Sequence, residues 1–493
     1  MIEDDVMDIL LIQPKVGEYD FANIRLPLGI LSIAALPEKN GYKVKIIDQR
    51  TDKNWDKELL KSLKSNPICV GITSMTGKQI RFALEASKIV KNNSDVPIVW
   101  GGVHPSFLPE QTLSNENVDI LVHGEGEITF FELVQTLEKE KPLKEIDGIW
   151  YKHDKKIKNN KPRPFVDLNK LPDLPYHLID MKKYCAFDIS GRREYSISFA
   201  LSRGCPFKCA FCYNTVFNKK RWRGLSIKNA MNRIKKIIDD FDIKSFYFID
   251  DNICANPKWF KELIKNFLKE KFDFLWGTQG IRIDSVVWMD HNLLTSMEKS
   301  GCRNLDFGIE SGSPRILDLM KKDITIPQVK KVAKKLLDFP FILKYNFMSG
   351  FPTETMEDID ASIKLALKLV KENKNAYILY HTYTPFPGTE LYELAIEHGF
   401  DPPKTLEGWS VFNYIDWPLN YPSWLSKEKI ELLNNLSFIS RFANKNLKYK
   451  ITRTTMRLIF NLYYPIAEFR FKHSFYNFFF EKTIAKHISS EFI

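Results

Sequence analysis

The sequence predicts two α/β domains in tandem, a doubly wound parallel sheet followed by a partial (β/α)6 barrel, and then an α-rich C-terminal region. Short runs rich in Val and Ile alternate with amphipathic stretches across residues 8–140. Strand and helix patterns alternate six more times between residues 196 and 400, and the alternation then stops. Strand–helix units repeated in one direction build parallel sheets, and six of them curl into an incomplete barrel.

Composition and turn residues predict the domain boundaries. The chain has 493 residues and is 44% hydrophobic, so it can bury several cores. A stretch rich in Lys, Asn and Pro, with a hairpin turn predicted within 155–162, separates the two alternating regions. We therefore expect a first domain over 1–140, a linker over 141–195, a barrel over 196–400 and a C-terminal region over 401–493.

The cysteines and the start of the chain indicate a reducing, cytoplasmic location. The seven cysteines are an odd number and three of them fall within eight residues, which does not suit a disulfide framework. The chain opens with the acidic residues MIEDD, where a signal peptide would be basic. It contains no run of about 18 uncharged apolar residues. We therefore expect a cytoplasmic protein.

Five apolar runs in the first domain predict the parallel strands of a Rossmann-like sheet. They cover residues 8–14, 44–48, 68–74, 97–100 and 119–122. A ligand of such a sheet lies at the carboxyl ends of its strands. Polar and glycine-rich turns follow there: Thr73-Ser74-Met75-Thr76, Gly101-Gly102-Val103-His104-Pro105 and His123-Gly124-Glu125-Gly126-Glu127. Glycines let a large planar ligand approach the backbone, and helix N-termini offer donors to a phosphate.

Cys205, Cys209 and Cys212 form a C-x3-C-x2-C pattern directly after the first predicted barrel strand. Thiolates this close repel one another unless a metal takes up their charge, and three such sulfurs can hold an iron–sulfur cluster while its fourth iron stays open. The alternative is a structural zinc, which normally needs a fourth Cys or His at similar spacing, and none follows Cys212 closely. The pattern therefore favours a cluster at the mouth of the barrel.

Polar residues recur where the barrel strands are predicted to end. The candidate strands cover residues 197–201, 245–249, 274–278, 304–307, 342–348 and 375–381. A carboxylate at Glu310, after the fourth strand, can bind hydroxyls or an ammonium group. The fork of Arg282, after the third strand, can neutralise a carboxylate. Each can equally be an ordinary loop cap.

The cysteine pattern, with Phe211 before its last cysteine, resembles the signature of the radical S-adenosylmethionine (SAM) enzymes. The resemblance implies that the three cysteines hold a 4Fe-4S cluster, whose open iron chelates the amino and carboxylate groups of SAM. Reduction of the cluster then cleaves SAM to a 5′-deoxyadenosyl radical. The resemblance also implies contacts of Phe211 with the adenine, of Glu310 with the ribose or methionine, and of Arg282 with the carboxylate. The full set of implied SAM-binding residues is Phe211, Gln279, Arg282, Glu310 and Ser311.

The turns of the first domain, with Leu26-Pro27-Leu28-Gly29 opening its first helix, resemble the cobalamin-binding domain that precedes many radical SAM barrels. The D-x-H-x-x-G motif, whose histidine ligates cobalt in one class of cobalamin proteins, is absent. The lower face of cobalamin is therefore expected to be free of a protein histidine, with ligation by His104 as the alternative. A Rossmann-like domain without a corrinoid is the other alternative. The implied cobalamin-binding residues are Thr73, Ser74, Gly101, Gly102, His104, Gly124 and Glu125.

Together the resemblances imply a cobalamin-dependent radical SAM enzyme that methylates an unactivated carbon. One SAM is then the methyl donor, through cobalamin, and another is the source of the 5′-deoxyadenosyl radical. The C-terminal region also resembles the anaerobic magnesium-protoporphyrin monomethyl ester cyclases, so a cyclisation or rearrangement without net methylation is the first alternative. A zinc-stabilised nucleic-acid-binding module is the second, because the chain carries a net charge of +11. For the enzyme we expect a small-molecule substrate, an external electron donor of the flavodoxin or ferredoxin type, no nucleic acid, and a monomer.

The C-terminal region is aromatic and basic, and we expect it to cover the barrel. Residues 441–493 contain ten Lys or Arg against three Asp or Glu. Attachment to an anionic membrane surface is one interpretation. Packing on the barrel is the favoured one, because two glutamates interrupt the basic face. The aromatic residues expected to pack are Phe460, Tyr463, Phe478 and Phe479.

Overall fold

The computed structural model describes residues 7–17, 24–187, 195–412, 424–442, 454–473 and 475. The chain divides into two units. The N-terminal unit comprises residues 1–185 and 402–420, and the barrel unit comprises residues 186–401 and 421–493. Each unit is built on its own seven-stranded sheet.

The N-terminal unit contains the five predicted parallel strands. They are β1 (Ile9–Gln13), β2 (Val44–Asp48), β3 (Cys69–Thr73), β4 (Ile98–Gly101) and β5 (Ile120–Val122), in the order β2-β1-β3-β4-β5. β1 and β5 are buried along their whole length, which explains their continuous apolar runs. The strand order reverses between β1 and β3, and a sheet of this kind binds its ligand at the carboxyl ends beside such a reversal.

Six helices connect these strands. They are α1 (Leu28–Lys39), α2 (Trp55–Leu63), α3 (Lys78–Asn93), α4 (Val103–Phe107), α5 (Pro109–Ser114) and α6 (Glu127–Glu138). α1 packs beside α6, and α2 packs beside α3. Ile30 of α1 and Phe130 of α6 share one apolar cluster with Ile9 and Leu11 of β1. The amphipathic stretches of the sequence thus form helices that cover the sheet, as in a doubly wound fold.

Part of the stretch predicted as a linker extends the sheet. β6 (Ile149–His153) pairs antiparallel with β5, and β7 (Lys156–Asn159) pairs antiparallel with β6. The two residues between them, Asp154 and Lys155, have φ angles of 50° and 60°, as a tight hairpin requires. A hairpin was predicted here, but its turn was placed within 155–162, where the structure has β7. The polar strands were not predicted, because only two residues of β6 are buried and β7 has none.

The barrel unit contains six parallel strands whose order follows the chain, together with one antiparallel edge strand. The edge strand is β8 (Ala186–Phe187), and the parallel strands are β9 (Tyr195–Phe199), β12 (Ser245–Phe248), β13 (Leu275–Ile281), β14 (Cys302–Glu310), β15 (Ile342–Ser349) and β16 (Ala376–Thr382). The short strands β10 (Ser202–Arg203) and β11 (Arg223–Gly224) pair outside this sheet. This arrangement confirms the predicted partial (β/α)6 barrel.

Helices follow the barrel strands in alternation. They are α7 (Ile227–Phe241), α8 (Pro257–Glu270), α9 (Ile283–Trp288), α10 (His291–Lys299), α11 (Pro314–Leu319), α12 (Ile326–Lys335), α13 (Met356–Glu372) and α14 (Glu390–Glu397). Capping residues fix several of the helix starts. Thr355, for example, forms a capping box with Asp358 at the start of α13. The carboxyl ends of the strands lead into these helix starts, and the polar residues of the sequence collect there.

Residues 402–412 differ from the expectation that everything after residue 400 covers the barrel. They belong to the N-terminal unit, where α15 (Leu406–Trp409) is anchored by a fully buried Trp409. The indole Nε1 of Trp409 donates to Gln111 Oε1 at 2.7 Å, and Gln111 Nε2 donates to the Pro403 carbonyl at 2.9 Å. Gln111 therefore joins residues 402–412 to the rest of the N-terminal unit, although the two segments are far apart in the sequence.

The barrel unit ends in two helices, α16 (Lys427–Phe442) and α17 (Thr454–Lys472). α16 packs on β16, and the ring of Phe471 on α17 lies 6.4 Å from that of Tyr380 on β16. Phe460 is buried, as the packing interpretation predicts. The predicted contacts of Phe478 and Phe479 lie outside the described residues. Among the helices that the structure describes, none is long and apolar enough to cross a membrane.

Candidate active site

The three cysteines lie on a loop that leaves the barrel sheet after β9. The loop starts after β10 and ends before β11, and these two short strands pair with each other. Gly204 precedes the first cysteine with a φ of 82°, in the left-handed region that favours glycine. A Cβ atom at this position would lie 1.9 Å from the carbonyl oxygen of Arg221. Only glycine therefore lets the two sides of the loop meet.

Asp250, at the carboxyl end of β12, supports the strand that leads into the loop. Its buried carboxylate accepts hydrogen bonds from the Leu201 N–H at 3.1 Å and from the Ser202 hydroxyl at 2.5 Å. Burial raises the pKa of Asp250 to about 7, against the opposing effect of these hydrogen bonds. The cysteine loop therefore begins on a segment that is fixed to the neighbouring strand.

Asp251 and Asn252 contact the cysteine loop itself. Asp251 accepts hydrogen bonds from the Gly204 N–H at 2.7 Å and from the Tyr213 hydroxyl at 2.5 Å. These two donors lie on either side of the three cysteines in the chain, so one carboxylate joins both ends of the loop. Asn252 directs its Nδ2 toward the sulfur of Cys205 at 3.7 Å. The sequence marked these residues only as polar groups at a strand end.

The three thiols have the environment of cluster ligands. All are free, Cys209 is buried, and Cys205 and Cys212 are half-buried. Burial raises the pKa of Cys205 and raises that of Cys212 to about 12, and the neighbouring thiols add to both shifts. Such thiols ionise when a metal takes up their charge. Among the described residues, no three His, Cys, Asp or Glu side chains already surround a single metal-ion position. Three free sulfurs on one loop suit a 4Fe-4S cluster, which takes each on a different iron.

Arg282 is buried directly after β13, next to Cys209. Its Nη1 lies 3.3 Å from the Cys209 sulfur, and its guanidinium lies over the ring of Phe207, 3.7 Å from the centroid. Its Nε and Nη2 donate to the two carboxylate oxygens of Asp284 at 2.9 and 3.1 Å. The fork of Arg282 thus already has a carboxylate within the protein, where the sequence suggested the carboxylate of SAM. Its remaining donor points at a cysteine.

Glu310 and Lys322 form a buried ion pair beside the cysteine loop. The Lys322 Nζ lies 2.9 Å from Glu310 Oε1, and both side chains are less than a tenth exposed. The same Nζ lies 5.7 Å from the ring centroid of Phe211. Burial by itself would lower the pKa of Lys322, but the negative charges of Glu310 and Cys209 outweigh it, so the pKa is raised and the amine stays charged.

Glu310 also has an unusual backbone conformation. Its φ is 71°, and the pairing of β14 with β15 shifts register between Gly308 and Glu310. A non-glycine residue in this region costs roughly 1–3 kcal/mol, and such strain concentrates at functional sites. The irregular strand end places the carboxylate against Lys322. No local pattern in the sequence marks Lys322, because this residue follows a short helix among charged residues and looks like a surface cap.

The remaining implied SAM-binding residues lie in different environments. Gln279 is exposed on β13. Ser311 is buried, its hydroxyl lies 3.1 Å from the Ser362 hydroxyl, and it accepts a hydrogen bond from the Ser313 N–H at 3.1 Å. Phe211 is half-buried. The structure thus brings Phe211, Arg282 and Glu310 to the cysteine loop, and it holds Ser311 against α13.

The turns after β3 and β4 of the N-terminal unit meet, as the sequence predicted. Gly102 has a φ of 102°, and a Cβ atom there would lie 2.7 Å from the Ser74 carbonyl oxygen and 2.9 Å from Thr73 Oγ1. The His104 N–H donates to the same Ser74 carbonyl at 3.2 Å, and the Ser74 N–H donates to the Gly101 carbonyl at 2.9 Å. Five of the seven implied cobalamin-binding residues therefore lie together at the carboxyl edge of the sheet.

His104 itself is enclosed. Its ring is fully buried, its Nδ1 lies 3.0 Å from Thr76 Oγ1, and its centroid lies 5.7 Å from that of Trp409. The buried Nε2 has no hydrogen-bond partner among the described residues. Burial lowers the pKa of His104 to about 3, so the ring is neutral at pH 7. In this conformation the ring has no exposed surface with which to contact a ligand.

The turn after β5 leaves its backbone accessible. The Gly124 N–H donates to the Ser106 hydroxyl at 2.9 Å, and Glu125 Oε2 accepts from the Val166 N–H at 3.2 Å. A Cβ atom on Gly124 would meet no atom within 4 Å, and its φ of 77° favours glycine. Open space above a glycine backbone at this edge of the sheet suits a large planar ligand such as a corrinoid.

Comparisons with known proteins define the class of this chain. The radical SAM superfamily pattern matches residues 199–366, and the B12 binding domain pattern matches residues 20–134. The chain is 32% identical over 474 residues to an uncharacterized methyltransferase of Pyrococcus horikoshii, covering 93% of this chain and 99% of the relative. It is 27% identical over 485 residues to the cytidylyl-2-hydroxyethylphosphonate methyltransferase of Streptomyces wedmorensis, covering 86% and 88%. It is 27% identical over 402 residues to the anaerobic magnesium-protoporphyrin IX monomethyl ester cyclase of Rubrivivax gelatinosus, covering 78% and 70%.

Two solved structures share the fold. The cobalamin-dependent SAM radical enzyme OxsB, with aqua-cobalamin and SAM bound, superposes with a TM-score of 0.71 at 18% identity, over 96% of this chain and 73% of that one. The radical SAM methyltransferase TsrM of Kitasatospora setae, with tryptophan substrate and a SAM analogue bound, superposes with a TM-score of 0.66 at 16% identity, over 80% and 77%.

A cobalamin-type sheet domain and a cysteine-bearing partial barrel in one chain define a radical SAM enzyme with a corrinoid domain. The chain belongs to the cobalamin-dependent radical SAM family. The cofactors of this family are a 4Fe-4S cluster, SAM and cobalamin. Membership in this family replaces the zinc-based alternative considered from the sequence.

Proposed function

We propose that this protein transfers a methyl group from SAM to an unactivated carbon of a small molecule. The observation that carries the proposal is the barrel mouth, where the cysteine loop, Arg282 and the buried Glu310–Lys322 pair lie together. The similarity to a methyltransferase along nearly the whole chain supports the same reaction. When bound, the three cofactors supply reductive cleavage of one SAM and methyl transfer from another through cobalamin.

The residues of the cysteine loop hold and tune the cluster. Cys205, Cys209 and Cys212 are the ligands, and burial around them keeps water away. Asn252 and Arg282 direct N–H donors at the sulfurs of Cys205 and Cys209. Donors to ligand sulfurs disperse thiolate charge and raise the reduction potential of a cluster. This effect helps an external electron donor of the flavodoxin or ferredoxin type to reduce the enzyme.

Glu310 and Lys322 bind SAM beside Phe211. The Glu310 carboxylate accepts hydrogen bonds from ribose hydroxyls or the SAM ammonium, and the Lys322 ammonium donates to the SAM carboxylate. The half-buried ring of Phe211 offers an apolar surface for the adenine. Because both charges are already buried and paired, SAM exchanges one ion pair for another and costs little extra desolvation. Arg282 acts on Cys209. Gln279, exposed on β13, and Ser311, held against α13, have supporting roles in the same site.

The N-terminal unit binds cobalamin at the carboxyl edge of its sheet. Thr73, Ser74, Gly101, Gly102, Gly124 and Glu125 supply hydroxyls, a carboxylate and open backbone. His104 stabilises these turns through its hydrogen bonds and does not ligate cobalt. The hydrogen bond to Thr76 and the packing of Trp409 support that role.

A reaction without net methylation is the second candidate, since the cyclase of Rubrivivax gelatinosus covers 78% of this chain. The two reactions differ in what SAM becomes. Methylation yields 5′-deoxyadenosine and S-adenosylhomocysteine together, whereas cyclisation yields 5′-deoxyadenosine alone. The protein is proposed to act as a cytoplasmic monomer. Anaerobic assays of the reconstituted enzyme should release both products, and Cys205→Ala should abolish the formation of 5′-deoxyadenosine. Release of 5′-deoxyadenosine without S-adenosylhomocysteine would favour the cyclase.

A further inference from the structure

Helix α17 has two opposite faces, both apolar. One face packs into the barrel unit through Phe460, Ala467 and Phe471, which are 2% exposed or less. The other face consists of Leu458, Leu462, Ile466 and Phe469, which we call the α17 ridge. These four side chains are between 47 and 74% exposed. A helix that only packs on a domain carries polar residues on its outer face, so packing does not explain the ridge.

The α17 ridge is continuous. Its residues recur at intervals of four, four and three, and at 100° per residue they fall within one stripe of about 80°. The stripe continues past the end of the helix, because the His473 ring lies 4.5 Å from the Phe469 ring and Phe475 is 47% exposed. The polar residues Asn461, Glu468 and Lys472 are exposed beside the stripe.

We propose that the α17 ridge docks on the surface of an anionic lipid bilayer. An interfacial helix combines one apolar stripe with an excess of Lys and Arg, and residues 441–493 have ten Lys or Arg against three Asp or Glu. The apolar side chains enter the boundary between head groups and acyl chains, while the basic residues bind the anionic head groups. The buried face stays on the barrel, so the helix lies flat and does not span the bilayer.

A second copy of the chain fits the ridge less well. A stable dimer buries about 800 Å² on each partner with an uncharged centre. One row of four side chains offers less than that, and a segment with ten Lys or Arg against three Asp or Glu would repel its own copy.

The test uses the full chain with its cluster and vesicles of defined composition. Wild type should sediment with phosphatidylcholine vesicles that contain phosphatidylglycerol, and the bound fraction should fall at least about tenfold with pure phosphatidylcholine or with high salt. Leu462→Glu and Phe469→Glu should each lower binding about tenfold or more, since each places a charge in the apolar stripe. Asn461→Glu adds the same charge on the polar side and should change binding less than about threefold.

Several results would overturn the proposal. One is that wild type stays in the supernatant when vesicles containing phosphatidylglycerol are sedimented. Another is a dimer, measured by light scattering, that Leu462→Glu converts to a monomer, because the occupant is then a second copy. A third is vesicle binding that appears only after deletion of residues 476–493, because that segment then covers the ridge. Iron content and SAM cleavage should be unchanged in Leu462→Glu, so loss of docking is distinguished from failure of the proposed catalytic function.

Discussion

The hydroxyl of Tyr213 donates a hydrogen bond of 2.5 Å to the carboxylate of Asp251, although the two residues lie on different strand–loop units of the barrel. The other oxygen of that carboxylate accepts from the Gly204 N–H. The cysteines are therefore enclosed between two attachments to one side chain. We infer that Asp251 positions the loop before any iron binds, which lowers the entropy lost when the cluster assembles.

Asp251→Asn should impair cluster assembly without unfolding the chain. The side chain of asparagine has one acceptor oxygen, whereas the Gly204 N–H and the Tyr213 hydroxyl are two donors. Its NH2 group therefore faces one of these donors. Each charge-assisted hydrogen bond that is lost costs about 1.5–3 kcal/mol. Anaerobic reconstitution of wild type should give about four irons per chain, and the variant should give less than about half of that. Asp240→Asn, an exposed residue at the end of α7, is the matched control. Full iron content and an unchanged cluster EPR spectrum in Asp251→Asn would remove its positioning role.

Lys322→Met should both destabilise the fold and weaken SAM binding. Removing one member of a buried ion pair leaves Glu310 uncompensated, which costs about 3–5 kcal/mol. Thermal unfolding should occur at a clearly lower temperature. Adding Glu310→Gln should restore much of the stability, because no buried charge is then unpaired, but SAM binding measured by equilibrium dialysis should stay weak.

The neighbouring Lys321→Met is the control for that experiment. Lys321 pairs with Glu390 at the surface, and exposed pairs contribute about 0–1 kcal/mol. Its unfolding temperature and SAM affinity should match wild type. Normal SAM binding by the Lys322→Met, Glu310→Gln double variant would assign the pair a purely structural role.

His104 should make the N-terminal unit sensitive to acid. Its pKa is about 3 in the folded chain and about 6.5 when unfolded, so the unfolded chain binds more protons between these values. Stability from this residue is complete above pH 6.5 and is lost as the pH falls, by about 1.4 kcal/mol at pH 5.5. His104→Gln should show a smaller fall in unfolding temperature between pH 7.5 and 5.5, whereas exposed His153→Gln should behave as wild type.

The same variant tests the lower face of cobalamin. Hydroxocobalamin bound to His104→Gln should have the absorption spectrum of the wild-type complex, and after reduction to the paramagnetic Co(II) state it should have the same EPR spectrum, without a signal from a histidine nitrogen in either. A nitrogen-ligand signal in wild type that disappears in His104→Gln would show that the histidine reaches cobalt, and the enclosed ring would then have to move.

Two substitutions on α17 should distinguish its buried face from its exposed face. Phe460→Asp places a charge at a buried position against the ring of Phe442, 5.8 Å away, and removal of a buried Phe alone costs about 3–5 kcal/mol. We expect insoluble protein. Leu462→Asp, two residues on at an exposed position, should be soluble with a wild-type circular dichroism spectrum. Equal solubility of the two variants would contradict the assignment of the buried face.

The sequence predicted the features that depend on local pattern. Continuous apolar runs identified the buried parallel strands, and spacing identified the three cysteines. It also led to Glu310 and Arg282, because polar residues directly after apolar strands are visible in a linear chain. The turns after β3 and β4 were found in the same way, through their glycines.

Features that depend on contacts between distant residues were not predicted. Lys322 has no local mark, and its partner is 12 residues away across an irregular strand end. Trp409 lies 298 residues from Gln111, so the return of the chain to the N-terminal unit could not be read from either segment. The sequence singled out Arg282 but assigned it to the carboxylate of SAM. In the structure its donors face Asp284 and Cys209, and no local pattern indicates these contacts.

The most direct test of the proposed function is transfer of a labelled methyl group. Reconstituted enzyme with cobalamin is incubated anaerobically with methyl-deuterated SAM, a reductant and a small-molecule extract of the cells that contain this protein, and the products are read by mass spectrometry. We expect a product in which one trideuteromethyl group replaces hydrogen on carbon, with 5′-deoxyadenosine and S-adenosylhomocysteine formed in equal amounts. All three should be absent in Cys209→Ala. A product formed with 5′-deoxyadenosine but without deuterium would contradict methyl transfer.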